Sequence, residues 1–181
     1  IMKKATFLSL AIVAITAFSC KENSKQAEPE VVTVETTKAK TYELANANVE
    51  FNSPEVEKAF NQYLEVEAAL VNTNANNTAQ AATNLEATLK AMNAEEATVT
   101  AVSSIANSED INIQRQHFET LSAAIETMVS GALESGTLYK QYCPMAFNNK
   151  GASWISASKD ILNPYFGDKM LKCGRVEAEI K

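Results

Sequence analysis

The chain has 181 residues, of which 46% are hydrophobic and 21% are charged, and its formal net charge is −6. This length is enough for one compact domain with its own core. The negative charge argues against nucleic acid as a partner, because such binding needs a basic surface. Three cysteines, five methionines and one histidine are present, so a site built from sulfur and imidazole has few candidate ligands.

The N-terminal segment has the pattern of an exported lipoprotein. Lys3 and Lys4 precede an apolar run that ends at Phe18, and a serine and Cys20 follow. A basic start, a short apolar segment and small residues before a cysteine are typical of a signal peptide with a lipobox. The run is shorter than the ~20 residues that span a bilayer. We therefore expect residues 1–19 to be cleaved and Cys20 to carry a lipid; the alternative is ordinary secretion with an incidental cysteine.

A lipidated Cys20 places the protein in the bacterial cell envelope, on the periplasmic side or at the cell surface, with the lipid as its only membrane contact. Residues 20–50 lack a sustained apolar period, which predicts a flexible tether. The folded domain is expected to span residues 51–181.

Four amphipathic helices are predicted in the first part of this domain. Ser53 followed by a proline favours the start of the first helix. The second is expected to begin with Thr78 as its cap, the third is shorter, and the fourth begins near Asp110 and ends by Gly131 or Gly136. The apolar residues expected to face the core are Val56, Phe60, Tyr63, Leu64, Leu70, Val71, Ala82, Leu85, Leu89, Met92, Val99, Val102, Ile105, Ile111, Phe118, Leu121, Ile125, Met128 and Val129. The prediction is a mainly α fold, an antiparallel four-helix bundle.

After Gly136 the helical period stops, and aromatic residues, prolines and glycines become frequent. Residues 148–151 read as a turn. We expect a small C-terminal lobe of short strands and turns at about residues 137–181, packed on the bundle.

The soft ligands of the chain predict a metal site. Cys143 and Met145 are at i and i+2, which face the same way in an extended chain; Met170 and Cys173, at i and i+3, share one side of a helical turn. His117 falls on the flank of the fourth helix's apolar arc and is expected to be partly buried, although a lone histidine there is often a packing residue. Thiolate, thioether and imidazole together suit Cu(I). Zinc is the second choice, because a structural zinc site normally takes four Cys or His ligands.

The competing interpretation is a protein-interaction domain in which Cys143 and Cys173 form a disulfide, the default for two cysteines in an oxidising compartment. A small organic ligand is a third possibility, to be bound among Tyr142, Trp154, Tyr165 and Phe166.

Catalysis is not expected, since the sequence offers no Cys-x-x-Cys motif, no triad and no di-iron motif. Glu67 falls within the apolar stripe of the first helix; it is either a buried ion-pair partner or exposed by a small rotation of the helix, and we expect it to be exposed.

Two strings of the C-terminal lobe carry a family resemblance: Tyr139-x-x-Tyr142-Cys143-Pro144-Met145-Ala146-Phe147 and Asn163-Pro164-Tyr165-Phe166-Gly167-Asp168-x-Met170-x-x-Cys173-Gly174. With them, residues 54–180 resemble a domain family of unknown function from Bacteroidetes envelope proteins. That family occurs as small lipoproteins and as a C-terminal extension on periplasmic adaptors of heavy-metal efflux pumps. The first string also resembles a short heavy-metal-binding module found near copper exporters, in which His-Pro usually follows the methionine; here Ala146 and Phe147 follow it.

The resemblance implies a helical domain associated with copper handling. It carries the metal role onto five matching residues, namely His117, Cys143, Met145, Met170 and Cys173. The expected function is binding of Cu(I), or a related soft ion, for sequestration or for transfer to an efflux system, and the expected partner proteins are an efflux-pump adaptor or a metallochaperone.

Overall fold

The structure, a computed structural model, describes residues 41–44 and 47–181. The predicted signal peptide, Cys20 and most of the predicted tether lie outside the described residues. The described residues all belong to one compact unit. Tyr42, which the sequence assigned to the tether, contacts this unit: its backbone N–H donates to the side-chain oxygen of Asn72 at 2.8 Å, and its carbonyl accepts from the Asn72 side-chain nitrogen at 2.8 Å.

Four helices make up the first part of the described domain: α1 at Pro54–Val71, α2 at Ala75–Ala91, α3 at Glu96–Ala106 and α4 at Ile111–Ser130. Helix α1 begins as predicted, because the Ser53 hydroxyl accepts from the Val56 N–H at 3.3 Å. Helix α2 begins earlier than predicted. Its cap is Asn74, whose side chain accepts from the Asn77 N–H at 3.0 Å, whereas Thr78 lies inside the helix.

The helices enclose a hydrophobic core. Helix α1 packs against α2 and α4, α2 against α3, and α3 against α4. A line of aromatic rings crosses this core, since Tyr63 stacks on Phe60 with centroids 6.1 Å apart and on Phe118 at 5.1 Å. The mainly helical fold is confirmed.

Two small antiparallel sheets complete the fold. Strand β1 at Glu50–Phe51 pairs with β2 at Leu133–Ser135. In the C-terminal lobe, β3 at Leu138–Cys143 lies between β4 at Ala152–Ser156 and β5 at Arg175–Ile180. Strand β4 contacts helix α4. The prediction of short strands and turns after the fourth helix is therefore confirmed.

A single turn at Ala146–Asn149 follows β3, and it has unusual backbone angles. Phe147, Asn148 and Asn149 have φ of 50°, 58° and 68°. Three successive non-glycine residues in the left-handed region cost about 1–3 kcal/mol each. The ring of Phe147 meets Tyr165 edge-on, with centroids 5.4 Å apart, and this contact helps to hold the turn.

Within residues 41–44 and 47–181, no helix is both long and apolar enough to cross a membrane.

Candidate functional site

The two cysteines of the C-terminal lobe lie side by side. Their Sγ atoms are 3.0 Å apart, although the residues are 30 positions apart in the sequence, and both are free thiols. Cys143 is the last residue of β3 and is fully buried, whereas Cys173 is only partly buried. The fold thus brings together two of the five predicted ligands.

The extended geometry that the sequence prediction assumed for Met145 does not hold. Strand β3 ends at Cys143, and Met145 has the helical angles φ −91° and ψ −8°, so the alternation of an extended chain no longer applies. Met145 is 46% exposed. Its backbone N–H nevertheless points at the Cys173 sulfur, which places Met145 at the rim of the cysteine pair.

Cys173 is held by a turn and by a buried amide. Its N–H donates to the carbonyl of Met170 at 3.0 Å, so the two predicted ligands share one tight turn, as expected. The Asn163 side-chain nitrogen donates to the carbonyl of Cys173 at 2.6 Å. The Asn163 side-chain oxygen accepts from the N–H groups of Tyr165 and Phe166 at 2.8 and 3.2 Å.

Sequence reasoning did not assign this role to Asn163. The Asn163-Pro164 dipeptide is a turn signal that could have marked the place, but it does not show that the amide reaches residue 173.

Cys173 favours the protonated state. Burial and the neighbouring Cys143 thiol raise the pKa of Cys173 to about 11, while the Met145 N–H acts in the opposite direction. A metal ion that binds the Cys173 sulfur must therefore displace its proton.

His117 lies on the side of helix α4 that faces helix α3. It borders a surface cavity of about 480 Å³ with Glu96 and Thr100 of helix α3. The adjacent Phe118 points instead toward Tyr63 and Tyr165. Since successive helical residues are ~100° apart, a side chain next to Phe118 leaves the lobe and meets α3. Partial burial of His117 was predicted correctly.

Among residues 41–44 and 47–181, no group of three or more His, Cys, Asp or Glu side chains is placed to hold a metal ion. His117, Cys143 and Cys173 therefore do not form such a group, and the metal role of the five predicted ligands stays a prediction. What remains is a two-cysteine pair with Met145 and Met170 close in the chain. A structural zinc site, which takes four Cys or His ligands, does not match this set.

The only tryptophan of the chain, Trp154, packs beside Gly174, the residue that follows Cys173. A Cβ atom added to Gly174 would lie 3.0 Å from Trp154 Cη2 and 3.2 Å from the Tyr142 carbonyl oxygen, so Gly174 packs its backbone directly on the indole ring. Trp154 is fully buried and meets Tyr165 edge-on at 5.9 Å. These two aromatic residues are core, and Trp154 is a natural optical reporter for residue 173.

Two buried charged side chains were not assigned a role from the sequence. Glu67 is fully buried, not exposed as predicted, and neither carboxyl oxygen has a hydrogen-bond partner; burial raises its pKa well above the usual value. Arg115 links helix α4 to the lobe and to α1, because it donates to the carbonyls of Pro164 at 2.8 Å and Leu70 at 3.2 Å and to the Thr73 hydroxyl at 3.1 Å.

These features define a mainly helical domain with a cysteine pair in a small C-terminal sheet lobe. Residues 59–136 match the model of a family described as a protein of unknown function (DUF3347). The match runs from within α1 to the residues before β3, so it includes His117 but neither Cys143 nor Cys173. It is shorter than the resemblance over residues 54–180. No curated protein and no solved structure matches the chain.

Proposed function

We propose that this protein binds Cu(I), or a related soft ion, through Cys143 and Cys173, and that it sequesters the ion or transfers it to an efflux system. The supporting observation is the 3.0 Å approach of the two sulfurs, which the fold achieves across 30 residues. Met145 and Met170 are the proposed additional thioether ligands. We propose no catalytic role.

The spacing of the sulfurs supports binding after a small adjustment. Metal–sulfur bonds are about 2.3 Å long in zinc thiolates. With bonds of this length to two sulfurs 3.0 Å apart, the sulfur–metal–sulfur angle would be narrower than tetrahedral. The sulfurs must separate to open this angle. Cys173 lies outside the strands and is partly exposed, so rotation of its side chain can open this angle while its backbone stays held.

The identity of the donors favours a soft ion. Thiolate and thioether select Cu(I) over the harder divalent ions. Thioethers bind without losing a proton and do not form disulfides, so Met145 and Met170 stay available in an oxidising space. Zinc remains the second choice, because thiolates bind it but the pair supplies only two of the four Cys or His ligands of a structural zinc site.

We also propose that Cys20 carries a lipid and anchors the domain in the bacterial envelope, on the periplasmic side or at the cell surface. An efflux-pump adaptor or a metallochaperone is the proposed partner protein. For the fold, we propose that α1–α4 form an antiparallel four-helix bundle; the contacts of α1 with both α2 and α4 support this arrangement.

The second candidate is a protein-interaction domain with a structural Cys143–Cys173 disulfide. The same sulfur contact favours it, because two thiols this close need only a small shift to reach the ~2.05 Å of a disulfide. Such a bond would stabilise the lobe by about 2–4 kcal/mol.

Anaerobic titration of the reduced full chain with Cu(I), in competition with a chromogenic Cu(I) chelator, separates the two functions. We expect the double variant Cys143→Ser with Cys173→Ser to bind more than about tenfold more weakly, and Met145→Leu to weaken binding to a smaller extent. Met128→Leu, in helix α4, is the matched methionine control and should bind like the wild type. Equal binding by wild type and double variant would contradict the proposal.

A further inference from the structure

The two sulfurs of the pair differ in their access to solvent. Cys143 is the fully buried end of β3, with its backbone paired to Ala152 of β4. Cys173 is partly exposed and lies in the turn that begins at Met170. A molecule that approaches from solvent therefore meets the sulfur of Cys173 first.

We propose that Cys173 is the sulfur that undergoes thiol–disulfide exchange with a partner carrying a reactive disulfide, and that Cys143 is the resolving thiol. This inference concerns the same pair as the proposed function and adds to it a redox control. The chemical class of the partner is a disulfide, either a small molecule or a protein.

The exchange is balanced in two steps. The Cys173 thiolate attacks one sulfur of the partner disulfide, which forms a mixed disulfide and releases the other partner sulfur as a thiolate. The Cys143 thiolate then attacks the Cys173 sulfur, forms the Cys143–Cys173 disulfide and releases the second partner thiolate. The chain loses two electrons and two protons, and the partner gains them as two thiols.

The local geometry suits the resolving step. The 3.0 Å separation places the resolving sulfur next to the mixed disulfide as soon as it forms. Asn163 fixes the backbone of Cys173 through its 2.6 Å hydrogen bond, so the fold sets the position of Cys173 next to Cys143.

One consequence links the exchange to the metal. A sulfur atom in a disulfide is no longer a thiolate ligand, so the oxidised pair cannot hold Cu(I) through its cysteines. Oxidation by the partner would release the ion, and reduction would restore the site.

The test uses the reduced full chain with oxidised glutathione as the small disulfide and oxidised protein disulfide isomerase as the protein disulfide. With either oxidant, the wild type should form the internal disulfide, detected by mass spectrometry. Cys143→Ser should stop at a stable mixed disulfide on residue 173. Cys173→Ser should react slower by about tenfold or more, because its remaining thiol is buried. Equal rates for the two variants, or a faster Cys173→Ser, would overturn the assignment.

A second measurement avoids substitutions altogether. Brief alkylation of the reduced wild type with iodoacetamide, followed by peptide mapping, should label Cys173 well before Cys143; the reverse order would overturn the proposal. Cu(I) titration of the same reduced and oxidised samples separates the two claims. Loss of binding only after oxidation supports both, whereas ordered exchange without Cu(I) binding by the reduced chain refutes the metal function alone. Equal Cu(I) binding by the reduced and oxidised chains contradicts the redox control.

Discussion

The side-chain nitrogen of Asn163 donates to the carbonyl oxygen of Cys173 at 2.6 Å. With this bond and the two that its side-chain oxygen accepts, one buried amide positions the turn that carries the reactive cysteine. The cysteine pair therefore depends on a residue that is neither a sulfur ligand nor a neighbour of one in sequence.

Asn163→Ala should destabilise the domain and loosen Cys173. The change leaves three backbone groups without their partner, and a buried unsatisfied group costs about 1–3 kcal/mol; because the groups can relax toward solvent, we expect a total loss of about 2–4 kcal/mol. Urea denaturation measures the stability, and the alkylation rate of Cys173 measures the loosening. Asn61→Ala, an exposed asparagine on α1, is the matched control and should change neither.

Arg115→Lys should destabilise the junction between α4, α1 and the lobe even though it keeps the charge. A lysine ammonium is a point donor and cannot reproduce the planar fork that reaches Pro164, Leu70 and Thr73. We expect a loss of about 3–6 kcal/mol in the free energy of unfolding, on the scale of two hydrogen bonds to a charged group. A loss no larger than that of the exposed Lys58→Arg would show that the three bonds are dispensable.

Glu67 should make the domain less stable as the pH rises. Burial raises its folded-state pKa well above the usual value of 4.5, so the folded chain keeps a proton that the unfolded chain releases. Its contribution to stability is complete below about pH 4.5 and is lost as the pH rises toward the folded-state pKa, by at most about 1.4 kcal/mol per pH unit.

Urea denaturation of Glu67→Gln at several pH values from 5 to 9 tests this linkage. The variant should gain stability relative to the wild type as the pH rises. Glu57→Gln, an exposed position on the same helix, should show no such trend. A constant difference between wild type and Glu67→Gln across this range would refute a raised pKa.

Gly174→Ala should disturb the packing beside the cysteine pair. The added Cβ would lie 3.0 Å from the Trp154 ring, so the indole must shift, at a cost of about 1–3 kcal/mol typical of overpacking. The fluorescence of the single tryptophan reports the shift. At Gly131 the nearest atom to an added Cβ is 3.8 Å away, and Gly131→Ala should leave the emission spectrum unchanged.

Local chemistry explains which parts of the fold were predictable from the sequence. The start of α1 depends on Ser53 and its adjacent proline, so it could be read directly. The start of α2 was predicted at Thr78, whereas Asn74 is its cap, and the choice between the two depends on how the chain leaves α1. Whether Glu67 is buried or exposed depends on the rotation of α1 against its neighbours, and the local sequence does not determine that rotation.

For the candidate site, too, local sequence patterns did not determine which side chains lie together. The extended geometry assumed for Met145 was wrong because β3 ends at Cys143, and turn positions do not alternate. The helical angle placed His117 on a flank correctly, but it did not say that α3 rather than the lobe covers that flank. The approach of Cys143 to Cys173 depends on the path of the chain between them, so the sequence supplied only the candidates.

X-ray absorption spectroscopy of the reduced full chain loaded with one equivalent of Cu(I) would show which atoms bind the ion. We expect a first coordination shell of sulfur alone, unchanged in His117→Ala and lost when Cys143 and Cys173 are both replaced by serine. A shell that contains imidazole nitrogen and changes in His117→Ala, or a shell that persists without the two cysteines, would contradict this expectation.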